Sequence, residues 1–535
     1  MKTVFKKKLE LILYTLLATF ILNACKGKST VQKVVKKKPN ILFIVADDLG
    51  AHDLGYAGST YYETPNIDAI AKEGVEFTQG YAAAQVCSPS RASLMTGQYT
   101  ARHGITEWIG ALSGEEWGKK VNTKVLPPDY EHTIPVENIT IAEAFKEGGY
   151  KTFFAGKWHI GDVPYGPESN GFDINIGGWE VGGPKGGYYA PWRNPKLDYK
   201  YDGENLTKRL AIETADFMTA NKDEPFFAFL SFYAVHGPIE TTQEKWNKYR
   251  NKAEAQGIPE KGFEMERILP IRTVQDNPIY AGLLESMDDA IGLVLNRLKE
   301  LGLDENTIIV FTSDNGGVAS GDAFSTTNFP LRGGKGYQWE GGIREPYLIK
   351  APMLKNLPKA VSYPVSGIDF YPTLLDLAGV EKNPKQVVDG VSLVPLLKGK
   401  SLEDRALFWH YPHYGNQGGE PVSIIRKNEY KLIHYYEDGH DELYNLSTDA
   451  RELNNISSIN SEKAKELRVE LDAYLQSVNA KVPRVNKNYD AKKATALYNR
   501  RKTHMMRNLE KQRKDFLQKD FKPNADWYNS SLTKD

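Results

Sequence analysis

Short apolar runs with polar ends alternate along this chain with longer segments of helical period. Four runs are of buried-strand type, apolar almost throughout rather than at every second position: Asn40 to Ala46, Lys151 to Ala155, Phe226 to Phe232 and Thr307 to Thr312. Each leads into polar residues: Asp47-Asp48, Gly156-Lys157-Trp158-His159, His236-Gly237-Pro238 and Ser313-Asp314-Asn315-Gly316-Gly317. Between them Ile67 to Lys72, Ile141 to Glu147, Leu206 to Met218 and Pro278 to Leu301 read as helices. Strands alternating with helices predict an α/β fold, a large mostly parallel sheet sandwiched by helices. Ligands bind beyond the carboxyl ends of such strands, so the four polar tails can converge.

The pattern changes after the linker at Asn383-Pro384. Val422 to Arg426 and Tyr430 to Tyr436 are short strand-like runs, followed by a helical pattern from Ser461 to Ser477. They predict a smaller C-terminal antiparallel sheet plus a helix. The expected layout is a leader over 1–24, a tether over 25–38, a catalytic domain over 39–385, a C-terminal α+β subdomain over 386–482 and a basic tail over 483–535. The tail, with Lys492, Lys493, Arg500, Arg501 and Lys502, reads as a helical arm or a partly disordered segment.

The leader opens with Lys2, Lys6, Lys7 and Lys8, and its apolar run from Leu11 to Leu22 is too short to span a bilayer. That is the pattern of a secretory signal peptide. Leu22-Asn23-Ala24-Cys25 resembles a bacterial lipobox, which implies cleavage before Cys25 and lipidation of it; an ordinary signal peptide is the alternative. The expected location is therefore outside the cytoplasm, lipid-anchored to a membrane, periplasmic or at the cell surface. Lys plus Arg and Asp plus Glu number 68 each, and this balance gives no basic excess of the kind nucleic-acid binding needs. Oligomeric state is not legible.

Only two cysteines occur, Cys25 and Cys87. A disulfide between them is conceivable in an oxidising compartment, but each sits in a sequence that accounts for it alone. Cys87 opens Cys87-Ser88-Pro89-Ser90-Arg91-Ala92-Ser93-Leu94-Met95-Thr96-Gly97. Ser88 is a candidate helix cap and Pro89 suits a first turn, which places Cys87 where free N–H groups favour an anion. Taken alone it also fits a buried structural thiol.

A Cys with Pro two residues on and Arg four residues on resembles the signature of type I, formylglycine-dependent sulfatases of the alkaline phosphatase-like superfamily. The strand-end tails follow in that family's order. Leu331-Arg332-Gly333-Gly334-Lys335-Gly336 is similar to its lysine block, and Glu442-Leu443-Tyr444-Asn445-Leu446 to its C-terminal block, so the resemblance spans roughly residues 38 to 480. It implies a bacterial exported polysaccharide sulfatase. Cys87 is then oxidised by a formylglycine-generating enzyme, and its hydrated aldehyde attacks sulfur to give a sulfo-enzyme intermediate. Asp47, Asp48, Asp314 and Asn315, with the modified Cys87, bind one Ca²⁺, with Mg²⁺ as the alternative that oxygen donors allow. Arg91 fixes the nucleophile, Lys157 and Lys335 clamp sulfate, His159 serves as the base and His236 as the acid for the leaving oxygen.

The substrate implied is a sulfated glycan, an algal polysaccharide such as ulvan or carrageenan, or a glycosaminoglycan. Candidates for touching it are His103, Trp108, Trp179, Arg193 and His413, from loops on the same face. Two other readings stay open: a phosphate mono- or diester hydrolase of the same superfamily, and a non-catalytic glycan-binding lipoprotein.

Overall fold

Asn40–Ala46 lies inside an eight-stranded sheet, hydrogen-bonded in parallel to Thr307–Ser313 on one side and Phe226–Ser231 on the other. Beyond Phe226–Ser231 come Lys151–Gly156 and Ile174–Ile176, both parallel; beyond Thr307–Ser313 come Tyr347–Lys350, antiparallel to both its neighbours, then Val75–Phe77 and Ala360–Val361. The apolar run of the central strand is buried at all seven positions because both faces are covered. Leu42, Ile44 and Ala46 pack toward the helices Leu206–Ala220, Gln243–Gln256 and Pro278–Glu300. Ile41, Phe43 and Val45 pack toward Cys87–Thr96, Ile141–Glu147 and Phe370–Ala378. This is the expected α/β architecture, a large mostly parallel sheet sandwiched by helices.

The computed structural model describes residues 37–161 and 164–521. The leader, Cys25 and its expected lipidation, most of the tether and the chain after 521 lie outside the described residues. Those from Pro39 onward belong to one compact unit.

The smaller antiparallel sheet has four strands, Ala406–Tyr411, Val422–Lys427, Tyr430–Tyr435 and Asp441–Asn445, in sequence order. Alternation decides its packing. Ile424 and Ile433 face Tyr81 and Ile343 of the large layer, whereas Ile425, Leu432 and Leu443 face Leu467 and Leu471 of the helix Ser461–Ser477. After residue 483 the chain is helical over Ala491–Arg500 and Met506–Phe516, with a π-helical turn between. Arg513 anchors it by pairing with Asp276 at 2.6 Å.

Candidate active site

The strand ends do converge. Asp47 and Asp48 follow the central strand, Lys157 follows Gly156, His236 lies five residues past Ser231, and Asp314 follows Ser313. Lys157 Nζ donates to Asp47 Oδ2 at 2.6 Å, and Lys335 Nζ to Asp48 Oδ2 at 2.9 Å. Asp48 N donates to Asp314 Oδ1 at 3.1 Å and Asn315 Nδ2 to Asp48 Oδ1 at 2.8 Å. Arg91 spans the group: Nε reaches Asp314 Oδ2 at 2.7 Å, and Nη1 reaches Ser231 Oγ at 2.6 Å and the Lys157 carbonyl at 2.9 Å. His236 Nε2 lies 3.7 Å from Asp48 Oδ2. Asp48 and His159 have φ of 65° and 56°, a left-handed conformation that Asp and His tolerate better than most residues and that concentrates at functional sites.

Cys87 is the first residue of the helix Cys87–Thr96, 3% exposed, with Val86 as the cap residue. The expected Ser88 cap is corrected: Ser88 lies inside the helix, and its Oγ accepts from Ile109 N at 3.0 Å, tying the following loop to the first turn. Gly97, φ 68°, ends the helix with its N–H on the Ser93 carbonyl. One ligand atom each from Asp47, Asp48 and Cys87 lies within 4.8 Å of the others.

The charges show what this cluster can hold. Burial, reinforced by the nearby Asp314 carboxylate, pushes Asp47 up to about 7. Asp48 is equally buried, yet Lys335 and His236 hold it well below the carboxylate range. Asp47 Oδ1 and Asn315 Oδ1 are buried without a hydrogen-bond partner among the described residues. Three carboxylates and an amide oxygen, two of these atoms unpartnered, form a hard oxygen donor set that fits a divalent cation. Burial also pushes the Cys87 thiol up to about 11, so the unmodified residue is a protonated thiol at neutral pH. Burial and the Lys157 and Arg91 charges hold His159 neutral, well below its usual range; its Nε2 lies 3.3 Å from the Ile109 carbonyl.

The expected substrate contacts divide. The loop of Trp108, itself 36% exposed, supplies the Ile109 carbonyl beside His159. The Trp179 carbonyl accepts from His159 N at 3.1 Å, and Arg193 is exposed near the end of the same Gly-rich stretch. Gly182 must be glycine, because a Cβ there would lie 2.4 Å from the His159 ring. Two expectations are corrected. His103 is buried, with Nε2 on Ser93 Oγ and Nδ1 accepting from Ile105 N, so its ring packs against the helix Cys87–Thr96 and is not offered to substrate. His413 is buried with Nε2 on Thr106 Oγ1 and its ring against Tyr130 and Tyr411, which also leaves it no substrate-facing surface.

Three neighbours carried no sequence signal: Ser231, which receives Arg91; Asp322, 3.6 Å from Lys335 Nζ; and Glu107. The Glu107 carboxyl accepts from Trp108 N at 2.9 Å and Tyr411 Oη at 2.8 Å, and burial raises it from 4.5 to about 8. The unfolded chain loses this proton near the ordinary value, so the folded state is penalised progressively as pH rises through that window. The Glu107 contribution to stability is expected to shrink from pH 5 to pH 8, so the melting temperature of Glu107→Gln measured relative to wild type should rise over that range. Superimposable pH–stability curves would refute this.

A mostly parallel sheet with oxygen donors, buried cations and a helix N-terminus gathered beyond its strand ends defines a hydrolase of anionic esters. The sulfatase family model matches residues 39–380, and the model of the C-terminal region of N-sulphoglucosamine sulphohydrolase matches 334–481. The chain belongs to the sulfatase family and is a sulfuric ester hydrolase. It is 32% identical to a sulfatase of Formosa agariphila over 89% of this chain and 94% of that protein. To human steryl-sulfatase it is 28% identical over 70% and 72%. The solved structure of Ps i-CgsB in complex with k-i-k-neocarrahexaose is similar at 27% identity and TM-score 0.68, covering 89% of this chain and 100% of that one.

Proposed function

We propose that this sulfatase removes sulfate esters from a sulfated polysaccharide, with residue 87 acting in its formylglycine form and one calcium ion held by Asp47, Asp48, Asp314 and Asn315. The observation that carries the mechanism is the placing of Cys87 at a helix N-terminus among those donors and within the field of the buried Lys157 and Lys335. The likeness to a carrageenan-oligosaccharide complex and the loops carrying Trp108 and Trp179 beside His159 support a glycan. Carrageenan is the leading polymer, with ulvan and glycosaminoglycans as comparison substrates.

When bound, the cation neutralises sulfate and acidifies a hydroxyl beside it. The hydrated aldehyde of formylglycine offers two hydroxyls, one to attack sulfur and one to lose a proton so that sulfate leaves. The remaining work belongs to this chain's side chains. Lys157 and Lys335 hold sulfate oxygens as fixed charges. Arg91, locked by Asp314 and Ser231, orients the nucleophile from one helical turn away. His159, whose Nδ1 has no hydrogen-bond partner among the described residues, accepts the proton, and His236 supplies the proton to the departing sugar oxygen. A maturation enzyme that forms the aldehyde, export and anchoring through Cys25 belong to the same reading.

The test is mass spectrometry across residue 87 with sulfate release measured on the same sample against carrageenan, ulvan, glycosaminoglycans and phosphate esters. Aldehyde at 87 with sulfate released from a glycan is expected. Full conversion with turnover of phosphate esters alone would overturn the reading. Chelation is expected to abolish turnover and lower the melting temperature, because it restores the repulsion among three carboxylates, and calcium to restore both. Turnover indifferent to chelator would remove the metal from the mechanism.

A further inference from the structure

We infer that Asp322 determines specificity on the sugar side of the scissile bond, accepting a hydrogen bond from a free hydroxyl next to the sulfated carbon and repelling a second sulfate there. The inference rests on the sulfated-glycan reading above.

Asp322 lies between Asp314-Asn315 and Lys335, outside every motif. One of its carboxylate oxygens lies within 4.8 Å of both an Asp48 oxygen and a His236 ring nitrogen. His236 is the group assigned to the leaving oxygen, so a carboxylate beside it borders the carbon that bears the ester and the substituent next to it. Lys335 is not committed to Asp322: its ammonium lies closer to Asp48, at 2.9 Å, than to Asp322, at 3.6 Å.

The C-terminal part of the chain holds this charge in place. Gln417 Nε2 donates to Asp322 Oδ2 at 2.5 Å and Asn416 Nδ2 to Oδ1 at 3.3 Å. Its side chain is 5% exposed and φ is 34°. Two neutral donors fix the carboxylate without cancelling its charge. A fixed anion in a site otherwise built to attract anions discriminates: a neighbouring hydroxyl gains a charge-assisted hydrogen bond, whereas a neighbouring sulfate meets repulsion.

The experiment uses the formylglycine form of the full enzyme and matched oligosaccharides that differ only at the carbon next to the scissile ester, carrying hydroxyl, hydrogen or a second sulfate. The wild type is expected to prefer hydroxyl in kcat/KM, by about 10- to 100-fold over either analogue. Asp322→Asn, close to isosteric, is expected to shrink the discrimination against the second sulfate by about tenfold, and Asp322→Ala to remove the preference for hydroxyl over hydrogen. Ratios unchanged in the variants while all rates fall together would overturn the inference and leave Asp322 a positioning residue for Lys335. A wild type that favours the doubly sulfated substrate would overturn it without any variant. A wild type that cleaves an aryl sulfate but no glycan would instead bring down the glycan reading, and this inference with it.

Discussion

Cys87→Ala is expected to lower kcat for sulfate-ester hydrolysis by about 10⁴-fold or more, the scale of losing a covalent nucleophile, while the protein stays folded. The reason lies in what else residue 87 does. It packs as the first residue of a helix whose remaining turns bury Ala92, Leu94 and Met95 in the core, so the truncation removes one buried atom and costs roughly 1 kcal/mol. Loss of activity should therefore separate cleanly from loss of stability. Cys87→Ser sharpens the test. Its hydroxyl can take the sulfuryl group but has no second hydroxyl to expel it, so a labelled ester should leave its sulfate on the protein. Ion chromatography of released sulfate and mass spectrometry of the residue-87 peptide read the two variants. Appreciable turnover by Cys87→Ala would sink the proposed nucleophile.

The second large effect is Arg91→Ala, which should damage stability and activity together. Arg91 is 3% exposed and donates to Asp314, Ser231 and the Lys157 carbonyl. Truncation takes the charged partner from the buried Asp314 carboxylate and one donor each from Ser231 Oγ and the Lys157 carbonyl, which keeps Ser231 Oγ at 2.7 Å, and breaking a buried pair from one side costs about 3–5 kcal/mol. The kcat loss is expected near 10²–10³-fold, as for removal of one preorganised donor. Arg91→Lys restores charge but cannot reach three acceptors with a planar fork, so it should recover part of the stability and little of the rate. Denaturant midpoints and kcat for both variants check this; an Arg91→Ala midpoint equal to wild type would show the network to be dispensable.

The sheet was legible because a strand buried on both faces is apolar almost residue by residue, and such runs are hard to produce otherwise. Asn40–Ala46, Ile141–Glu147 and Ser461–Ser477 have the bounds their patterns predict. The polar tails were legible for the same reason, since Asp47, Lys157 and Asp314 each follow directly on a strand and His236 lies five residues beyond one. Asp322 was not: it sits in a loop between motifs and owes its place to Asn416 and Gln417, about a hundred residues downstream. Ser231 was hidden because a serine closing an apolar strand gives no sign of which side chain it will receive. His103 and His413 misled in the opposite way. A histidine near a motif carries the same letter whether its nitrogens face a sugar or Ser93 and Thr106, and only tertiary contacts decide. Gly182 shows the same limit, for its value lies in the His159 ring it admits.

The partners at the centre of the site are far apart along the chain: 110 residues separate Asp47 from Lys157, 223 separate Arg91 from Asp314, and 267 separate Asp48 from Asn315. No hairpin or single crossover holds even half of them. Because the donors belong to different strands of one register, a chain with an unfinished sheet has no weakened version of the site; it has none. Contacts of such sequence separation form late and slowly, so capture of a divalent cation should be among the last events of folding. An ion that binds only the finished sheet adds its binding free energy to that state, about 2.7 kcal/mol at a concentration one hundred times its Kd. Metal uptake followed in real time during refolding would then act as a clock for closure of the whole sheet.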